Sequence, residues 1–590
     1  MKAIKNIVII LISMAGFGSC SKDRLNENPP NFTTAEALYT SVDGFEAGMN
    51  GLYSLVREER NGLNYTGGFG TIDLLATIYL AGTDNIASGS NVGGLSTIIS
   101  DWTKSTPTDP NLDKVFLWLY KIVNASNTII TRADKAAINW GAAGNKERII
   151  SEARTIRAWA YRHLTYLWGK VPLITEERTG ENIITDASRE DVSVIRQFMI
   201  EDLKFAAENL PWLANKAGRM TRGVAQTYLA ETYLAIGKPD SAFYWANLCI
   251  TGGPYSLITA RYGTGANKPG VAFMDMFDPA NVNFSNGNKE ALWVMQWERN
   301  SVGGGDNLMR HETTMRYPNA KYQSRSGFLT AHEDRGGRGW SRQTITKKAL
   351  LLYHTSTDSA VGKIDQRRSE YAIRRYYIVS SYDNFSGLTN TGTNQPWKLG
   401  DTVWIATGIS QGNINNCGQR SKSGALNFNL LADGVPNNND WPHSLKFAWC
   451  DPGFPNTTES HLDQIYMRLA ETILLRAEAR GRMGDLAGAA ADINLLRTRA
   501  NAKQVTVADF GASLTTFLNY ILDERSRELI VEEQRRYTLL RLGGADFFFP
   551  RVSTMNTISK NLALRDTLFP IPQSVIDANI TTQMPQNNGW

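Results

Sequence analysis

Two stretches of the chain share a helix, turn, helix pattern that constrains its fold more than any other feature. The later stretch, from His461 to Asn501, contains no proline, and its apolar residues recur at helical spacing on both sides of a break at residues 481–485. Two small residues, Ala477 and Ala489, flank a turn glycine, Gly484. The pattern predicts two antiparallel helices that approach each other closely at the alanines.

The same arrangement occurs earlier, where Ala230, Gly237 and Ala242 stand at the same offsets and Pro254 closes the unit. A recurrence over about 34 positions is typical of tetratricopeptide repeats, in which one helix pair cannot bury its apolar face without stacked neighbours. A further amphipathic helix is predicted within residues 151–174. The sequence therefore predicts a mainly α fold built on a tetratricopeptide-like helical-repeat scaffold.

The N-terminus has the features of a bacterial lipoprotein signal. Lys2 and Lys5 precede an apolar run at residues 7–17, and small residues come just before Cys20. The run is too short to span a membrane as a mature helix. We predict a signal peptide over residues 1–19, lipidation of Cys20, and a polar, proline-containing tether over residues 20–32. An ordinary secretory signal with an incidental cysteine is the alternative.

Composition and cysteine content exclude several classes of function. The chain carries 62 basic and 57 acidic residues without a long basic block, so nucleic acid is not a predicted partner. No CxxC motif occurs, and an odd number of cysteines follows Cys20, so neither a disulfide framework nor a zinc site is indicated. A disulfide between Cys417 and Cys450 is one alternative that the sequence leaves undecided. Cys249 is expected to be a small core residue.

The remaining chain, residues 33–590, is predicted to be a single domain in three parts. Residues 33–254 and 461–590 have helical periodicity, whereas residues 255–460 are rich in Gly, Asn, Ser and aromatic residues and contain short strand-like pieces. Loops carried by a rigid scaffold often hold binding sites, so we expect the middle part to be a ligand-binding lobe. The charged run at residues 523–541 is expected to be a solvated helix face with intrahelical ion pairs.

Several stretches together carry a family resemblance. They are the Cys20 signal, ARTIRAWAYRHLTYLWGKVPLI, YMRLAETILLRAEARGRMG followed by AAADINLLRTRA, LDERSRELIVEEQRRYTLLRLG, and FPIPQSVIDAN with the terminal QNNGW. In this order, and over nearly the entire mature chain, they resemble the SusD/RagB family of outer-membrane lipoproteins of Bacteroidetes. The resemblance implies a non-catalytic protein at the cell surface that binds nutrient ligands, mostly glycans, as a lid on a SusC-like TonB-dependent transporter.

A glycan site needs flat exposed aromatic rings together with carboxylate, amide or guanidinium partners, because a sugar presents apolar C–H faces and a hydroxyl rim. Two regions supply this mixture, an early loop where the family places an aromatic and polar contacts, and residues 297–342. We predict as ligand contacts Asp84, Asn85 and Trp102 in the first region, and Trp297, Tyr322, Arg338 and Trp340 in the second. For any one of these aromatic residues, core packing is the alternative.

Other functions have weaker support in the sequence. A peptide-binding, RagB-type importer component is the first alternative to glycan binding, a surface hydrolase is the second, and a purely structural partner of the transporter is the third. Residues 408–412 match GxSxG but lack the strand and helix that a nucleophile elbow requires. No catalytic residue or cofactor is predicted. The loop at residues 433–440 is rich in oxygen ligands but lacks the EF-hand register, so the sequence does not decide whether it binds a structural calcium ion.

Overall fold

A computed structural model describes most of the chain after the predicted tether. It describes residues 34–60, 77–88, 95–135, 137–180, 182, 185–305, 336–337, 339, 343–374, 376–381, 389–390, 395–396, 398–400, 402–404, 441–454, 460–556 and 561–590. Across these ranges, no helix combines the length and the apolar character that a membrane crossing requires.

Helices form most of the regular structure. They are α1 (Ala35–Leu38), α2 (Val42–Arg57), α3 (Thr77–Leu80), α4 (Leu95–Ser100), α5 (Pro110–Lys135), α6 (Asn145–Trp168), α7 (Val192–Asn209), α8 (Arg222–Ala235), α9 (Pro239–Gly252), α10 (Ala272–Asp275), α11 (Lys347–Thr355), α12 (Leu469–Arg482), α13 (Leu486–Arg499), α14 (Leu514–Leu529), α15 (Arg535–Gly543), α16 (Ala545–Met555) and α17 (Gln573–Asp577).

The predicted repeats are confirmed as the helix pairs α8/α9 and α12/α13. Helix α9 packs on α12, α8 packs on α7, and α6 packs between α5 and α7, so the helices stack into a continuous scaffold. The small residues Ala230, Ala242, Ala477 and Ala489 are buried at the helix contacts. Gly484 closes the second turn with a φ of +86°, a conformation that side chains other than glycine rarely adopt.

Short antiparallel strand pairs hold the middle part of the chain together and connect it to the scaffold. The strands are β1 (Ile86–Ser88), β2 (Ala291–Met295), β3 (Gln343–Ile345), β4 (Ile373–Arg374), β5 (Tyr376–Ile378), β6 (Thr389–Asn390), β7 (Gln395–Pro396), β8 (Thr402–Trp404), β9 (His443–Ser444) and β10 (Gln464–Arg468). The pairs are β1/β3, β2/β10, β4/β9, β5/β8 and β6/β7. Strand β10 was expected to be helical, but its residues pair with β2, so the helix begins at Leu469.

The charged run at residues 523–541 is buried, which corrects the prediction of a solvated helix face. It folds as two helices, α14 and α15, rather than one. The pairs expected at a spacing of four residues do not form: Arg527 instead pairs with Glu524 within α14 at 2.9 Å, and Asp523 pairs with Arg551 of α16 at 2.7 Å. Sequence spacing alone suggested pairs along one helix, whereas the folded chain brings oppositely charged residues from several elements into the core.

Glu528 lies at the centre of this buried network. Its carboxylate accepts hydrogen bonds from Arg468 at 2.6 Å, from Arg367 at 3.0 Å, and from Arg499. Glu290 contacts Arg468 at 3.2 Å and Arg499 at 2.9 Å. Burial alone would raise the pKa of Glu528, but the charges of the three arginines outweigh it and hold the pKa well below its usual range. Because Glu290 and Arg367 come from the middle part of the chain, the network fixes the lobe on the scaffold.

Candidate functional site

Asp84 and Asn85 lie in the core, which corrects their prediction as ligand contacts. The Asp84 side chain is 0% exposed, and its two oxygens accept hydrogen bonds from Arg535 at 2.8 and 2.7 Å and from Arg551 at 2.7 Å. The amide oxygen of Asn85 accepts a hydrogen bond from Ser526 at 2.7 Å. These polar groups therefore stabilise the contact between the early segment and the C-terminal helices and offer no surface to a ligand.

Trp102 is also a core residue, so its prediction as a stacking platform is corrected in the same way. Its side chain is only 1% exposed. The guanidinium of Arg536 lies 5.3 Å from the centre of its ring, and the ring of Phe569 lies 6.0 Å away. A Cβ on Gly82 would come within 3.1 Å of the indole. Both the close packing and the burial exclude a sugar from this ring.

The predicted residues of the second region have different outcomes. Tyr322, Arg338 and Trp340 lie outside the described residues, so their predicted contacts stay predictions. Trp297 is 5% exposed and lines a cavity of about 810 Å³, the Trp297 cavity, whose wall comes from residues 47–57, 216–219 and 293–304. Trp297 is thus not an open stacking platform, but it borders a volume that admits a ligand.

A second concave surface has the mixture of groups that a sugar requires. This Trp449 cleft has a volume of about 460 Å³ and lies wholly in the lobe. Trp449 is 39% exposed, a high value for a large aromatic side chain. Among the residues that the structure describes, the charged and aromatic ones around the cleft are Arg261, Lys268, Asp275, Asp278, Glu370, Tyr371, Arg374, Tyr376 and Trp449.

Hydrogen bonds fix the polar groups on one side of the Trp449 cleft. Arg261 donates from Nε to Asp275 at 2.7 Å and from Nη1 to the Lys268 carbonyl at 2.8 Å. A Cβ on Gly270 would lie 2.8 Å from Arg261 Nη2, so glycine leaves room for the guanidinium. Asp278 accepts a hydrogen bond from Thr264 at 3.0 Å. The orientation of the guanidinium and the carboxylates is therefore set before any ligand arrives.

Tyr376 and Glu370 also line the cleft. Burial, then the charge of Glu370 and a hydrogen bond with its side chain, raise the pKa of Tyr376, so its phenol stays protonated. Together with Trp449 and Tyr371, these residues give the cleft aromatic side chains, a carboxylate and a hydroxyl. Such a surface can stack on a sugar ring and hydrogen-bond its rim.

The backbone before Arg338 and Trp340 is anchored at this cleft. Gly336 lines the cleft with a φ of +84°, and a Cβ there would lie 2.2 Å from the Ala448 carbonyl oxygen. Only glycine allows this close approach to the residue that precedes Trp449.

Comparison with known proteins identifies the family. The sequence model of the SusD family matches residues 289–590. The chain belongs to the SusD family. A SusD-like protein of Formosa agariphila is 24% identical over 612 residues, with 100% of both chains covered. A SusD-like protein of Bacteroides ovatus is 25% identical over 293 residues, which are 49% of each chain. The resemblance found in the sequence is therefore confirmed.

Solved structures of SusD-like proteins share the fold. A SusD homolog from Bacteroides thetaiotaomicron VPI-5482 matches with a TM-score of 0.68 at 17% identity, covering 94% of this chain and 98% of that one. A laminarin-binding SusD-like protein matches with a TM-score of 0.64 at 18% identity, covering 94% and 100%. These matches confirm the predicted SusD-like helical-repeat fold.

Sequence reasoning did not select Trp449, Tyr371 or Tyr376 as site residues. Trp449 was one of several tryptophans in polar loops that the sequence could not rank, and another of them, Trp441, is fully packed in the core. The available signal was an aromatic residue next to a turn-rich segment, which both tryptophans share. Only the fold separates the exposed ring from the buried one.

The metal and thiol predictions fall partly outside the described residues. In the ranges that the structure does describe, no group of three or more His, Cys, Asp or Glu side chains could hold a metal ion. The oxygen-rich loop at residues 433–440, the GxSxG match at residues 408–412 and Cys417 all lie outside them. Cys249 is buried in the core, as expected.

Proposed function

We propose that this SusD-family protein is a lipid-anchored glycan receptor at the cell surface. It captures an oligosaccharide or polysaccharide without catalysis and delivers it to a SusC-like TonB-dependent transporter. The observation that carries the proposal is the Trp449 cleft, where an exposed indole stands among carboxylate, guanidinium and phenol groups. The laminarin-binding activity named for one structural relative supports a glycan as the class of ligand.

The chemistry of the cleft favours binding over turnover. Asp275 is paired with Arg261 at 2.7 Å, and Asp278 accepts hydrogen bonds from Thr264 and from the Ala280 backbone, each at 3.0 Å. Glycoside hydrolysis needs one carboxyl group held as a general acid and a second positioned across the scissile bond. Carboxylates already fixed by cationic and backbone donors are better suited to accept hydrogen bonds from sugar hydroxyls. We therefore expect the glycan to be released unchanged.

Lipidation of Cys20 would hold the domain at the outer membrane through the tether at residues 20–32. The signal-like N-terminus and membership of the SusD family support this location. Labelling cells with a clickable fatty acid tests it. Wild-type protein should carry the label, and Cys20→Ser should not. A labelled Cys20→Ser protein would contradict lipidation at this residue.

The central experiment measures binding by the protein that starts after Cys20. Calorimetry and affinity electrophoresis would use laminarin, starch, pectin and mixed peptides as probes, with Trp449→Ala as the test variant. Covering one indole face buries about 80 Å² of apolar surface, which at ~25 cal/mol/Å² gives about 2 kcal/mol, or roughly thirtyfold in Kd. Tyr244→Ala is the matched control, because Tyr244 is an exposed aromatic on α9, outside the cleft.

The outcomes separate the candidate functions. Selective binding of a glycan that is weakened by Trp449→Ala and kept by Tyr244→Ala supports the receptor and its site together. Shortening of the glycan during incubation would favour the hydrolase, and binding of peptides alone would favour the peptide-binding alternative. Glycan binding that is unaffected by Trp449→Ala would contradict the placement of the site in this cleft.

Delivery to a transporter needs a separate test. Affinity-tagged protein purified from gently solubilised outer membranes should bring down a TonB-dependent transporter in near-equal amount. Recovery of the tagged protein alone, under conditions that preserve other outer-membrane complexes, would contradict the proposed partnership.

A further inference from the structure

The Trp297 cavity is separate from the Trp449 cleft and lies where the scaffold meets the lobe. One wall is the face of α2 that carries Asn50, Ser54 and Arg57, and another is the loop at residues 216–219. The third wall is the end of β2 with the turn at residues 298–304. At about 810 Å³, the volume is within the range of small-molecule sites.

Trp297 lines this cavity and carries a hydrogen-bond donor that no described residue uses. Its backbone N–H donates to Asp463 at 3.1 Å, which fixes the residue at the end of β2. Its indole nitrogen is buried and has no hydrogen-bond partner among the residues that the structure describes. Neighbouring Trp293, by contrast, donates from its indole to the Gly218 carbonyl at 3.0 Å. A buried N–H without a partner costs free energy that an acceptor on a ligand would recover.

Arg57 brings a cation to the same cavity, and no carboxylate in the described part of the chain pairs with it. Its guanidinium donates from Nη2 to the Gly303 carbonyl, and Ser54 donates to the same oxygen at 3.3 Å. Within the described ranges, no carboxylate lies at ion-pair distance from Arg57, and its buried Nε has no acceptor. Burial lowers the pKa of Arg57, as expected for a partly desolvated cation whose charge is not balanced nearby.

Behind the walls formed by α2 and residues 216–219, cations outnumber carboxylates, whereas Asp463 adds a carboxylate behind Trp297. Arg219 contacts Glu46 at 2.9 Å and Glu152 at 3.0 Å, and Lys216 contacts Glu46 at 3.1 Å. Arg148 also contacts both glutamates. Three cations therefore share two carboxylates, and Arg57 adds a fourth positive charge. Among the lining residues that the structure describes, the exposed Glu298 is the one acidic side chain.

We propose that the Trp297 cavity binds the acidic group of a charged sugar, either the carboxylate of a uronic acid or a sulfate ester. This inference rests on the proposed glycan-binding function and names the class of glycan. Arg57 supplies the balancing charge, and the Trp297 indole supplies a directed N–H. A negative group in this position gains both a buried donor and the uncompensated cation, whereas a neutral sugar gains only the donor.

The expected preference follows from the strength of charged hydrogen bonds. Such bonds contribute about 1.5–3 kcal/mol each, which corresponds to roughly ten- to hundredfold in Kd. Because the cation is partly buried, added salt should weaken the interaction less than it weakens contacts between fully exposed charges. An acidic probe should therefore bind at least tenfold more tightly than a neutral one of equal length, and should keep most of that advantage at 0.5 M salt.

The test uses three hexasaccharide probes, namely oligogalacturonate, a sulfated carrageenan oligosaccharide and neutral maltohexaose. Calorimetry on the soluble protein would compare wild type with Arg57→Gln and, independently, with Trp297→Phe, which keeps an aromatic ring and removes the N–H. Lys121→Gln is the control, because it removes the same charge from an exposed position on α5. Circular dichroism and Tm of each variant report folding.

We expect one acidic probe to bind more tightly than maltohexaose, with the advantage lost in Arg57→Gln, reduced in Trp297→Phe and kept in Lys121→Gln. The galacturonate and carrageenan probes distinguish carboxylate from sulfate. Equal binding of acidic and neutral probes, or an acidic preference that survives both cavity variants, would overturn the inference. Binding of a glycan that depends on Trp449 but not on Arg57 would overturn it and leave the proposed function standing. Acidic binding that depends on Arg57 but not on Trp449 would support the inference and contradict the placement of the glycan site in the Trp449 cleft.

Discussion

Replacing Glu528 by Gln tests whether the buried ion network holds the lobe on the scaffold. The change removes one negative charge and keeps the shape of the side chain. Arg468, Arg367 and Arg499 would then face a neutral amide, which can accept one hydrogen bond but also points an NH₂ group at a guanidinium. Breaking a buried ion pair from one side costs about 3–5 kcal/mol, because the remaining charges are left uncompensated.

This cost can be converted into a change of melting temperature. At about 2.1 cal/mol/K per residue, the unfolding entropy of a chain of this length is roughly 1.2 kcal/mol/K. A loss of 3–5 kcal/mol should therefore lower the Tm by about 3–4 °C in differential scanning calorimetry. Because Glu528, on α14, joins a residue of the lobe to β10 and α13, limited proteolysis should also cleave the lobe faster in the variant.

The control for this experiment is Glu36→Gln. Glu36 pairs with Arg132 at 2.8 Å, but its side chain is 73% exposed, so water and salt screen the interaction. This variant should have the same Tm as the wild-type protein. If Glu528→Gln also has the wild-type Tm, the buried network does not hold the lobe on the scaffold. Equal shifts in both variants would likewise refute the distinction between buried and exposed pairs.

Three further perturbations follow from the structure. Burial and the charge of Arg374 lower the pKa of His443 to about 3, below the unfolded value near 6.5. The unfolded chain therefore binds the proton first, and stability falls as pH drops from 6.5 towards 3. In urea unfolding, the free energy of unfolding should decrease between pH 7.5 and pH 5.0 by about 2 kcal/mol less in His443→Gln than in wild type. An equal decrease in both proteins would contradict this. Gly484→Ala should lower the free energy of unfolding in urea by about 1–2 kcal/mol, because φ is +86°. Gly51→Ala, in the middle of a helix with open space around it, should raise it by about 0.5–1 kcal/mol. If both variants changed stability in the same direction, the argument would be refuted. Trp102→Ala should lower the free energy of unfolding by about 3–5 kcal/mol, while calorimetry on the folded variant should give an unchanged Kd for glycan. A loss of glycan binding without a loss of stability would instead identify Trp102 as a ligand contact.

The repeat scaffold could be predicted from the sequence because its signals are local. Helical spacing of apolar residues, buried alanines and the turn at Gly484 all lie within one helix pair. The burial of residues 523–541 could not be predicted in the same way. A run of alternating charges has the same sequence whether water or distant arginines surround it, and the partners of Glu528 lie up to 161 positions away.

The same limit explains the errors at the candidate site. Asp84 and Trp102 stand near polar and aromatic residues in the sequence, which is the composition expected of a glycan site. Their contacts, Arg535 at 451 positions from Asp84 and the distant ring of Phe569, are set by the tertiary fold. A carboxylate that binds a ligand and one that binds a buried arginine need the same local chemistry. Exposure decides between them, and exposure is a property of the whole fold.

The position of the two cavities relative to the ion network explains why a receptor would bury so many charges. The Trp449 cleft belongs to the lobe, whereas the Trp297 cavity needs α2 from the scaffold and the turn at residues 298–304 from the lobe. The second site therefore exists only while the lobe keeps its place. Hydrophobic contacts tolerate small sliding movements, but hydrogen-bonded ion pairs lose most of their free energy when their geometry changes. A network centred on Glu528 thus keeps the donors of the cavity in place before the ligand arrives, and the free energy of binding is not spent on ordering them.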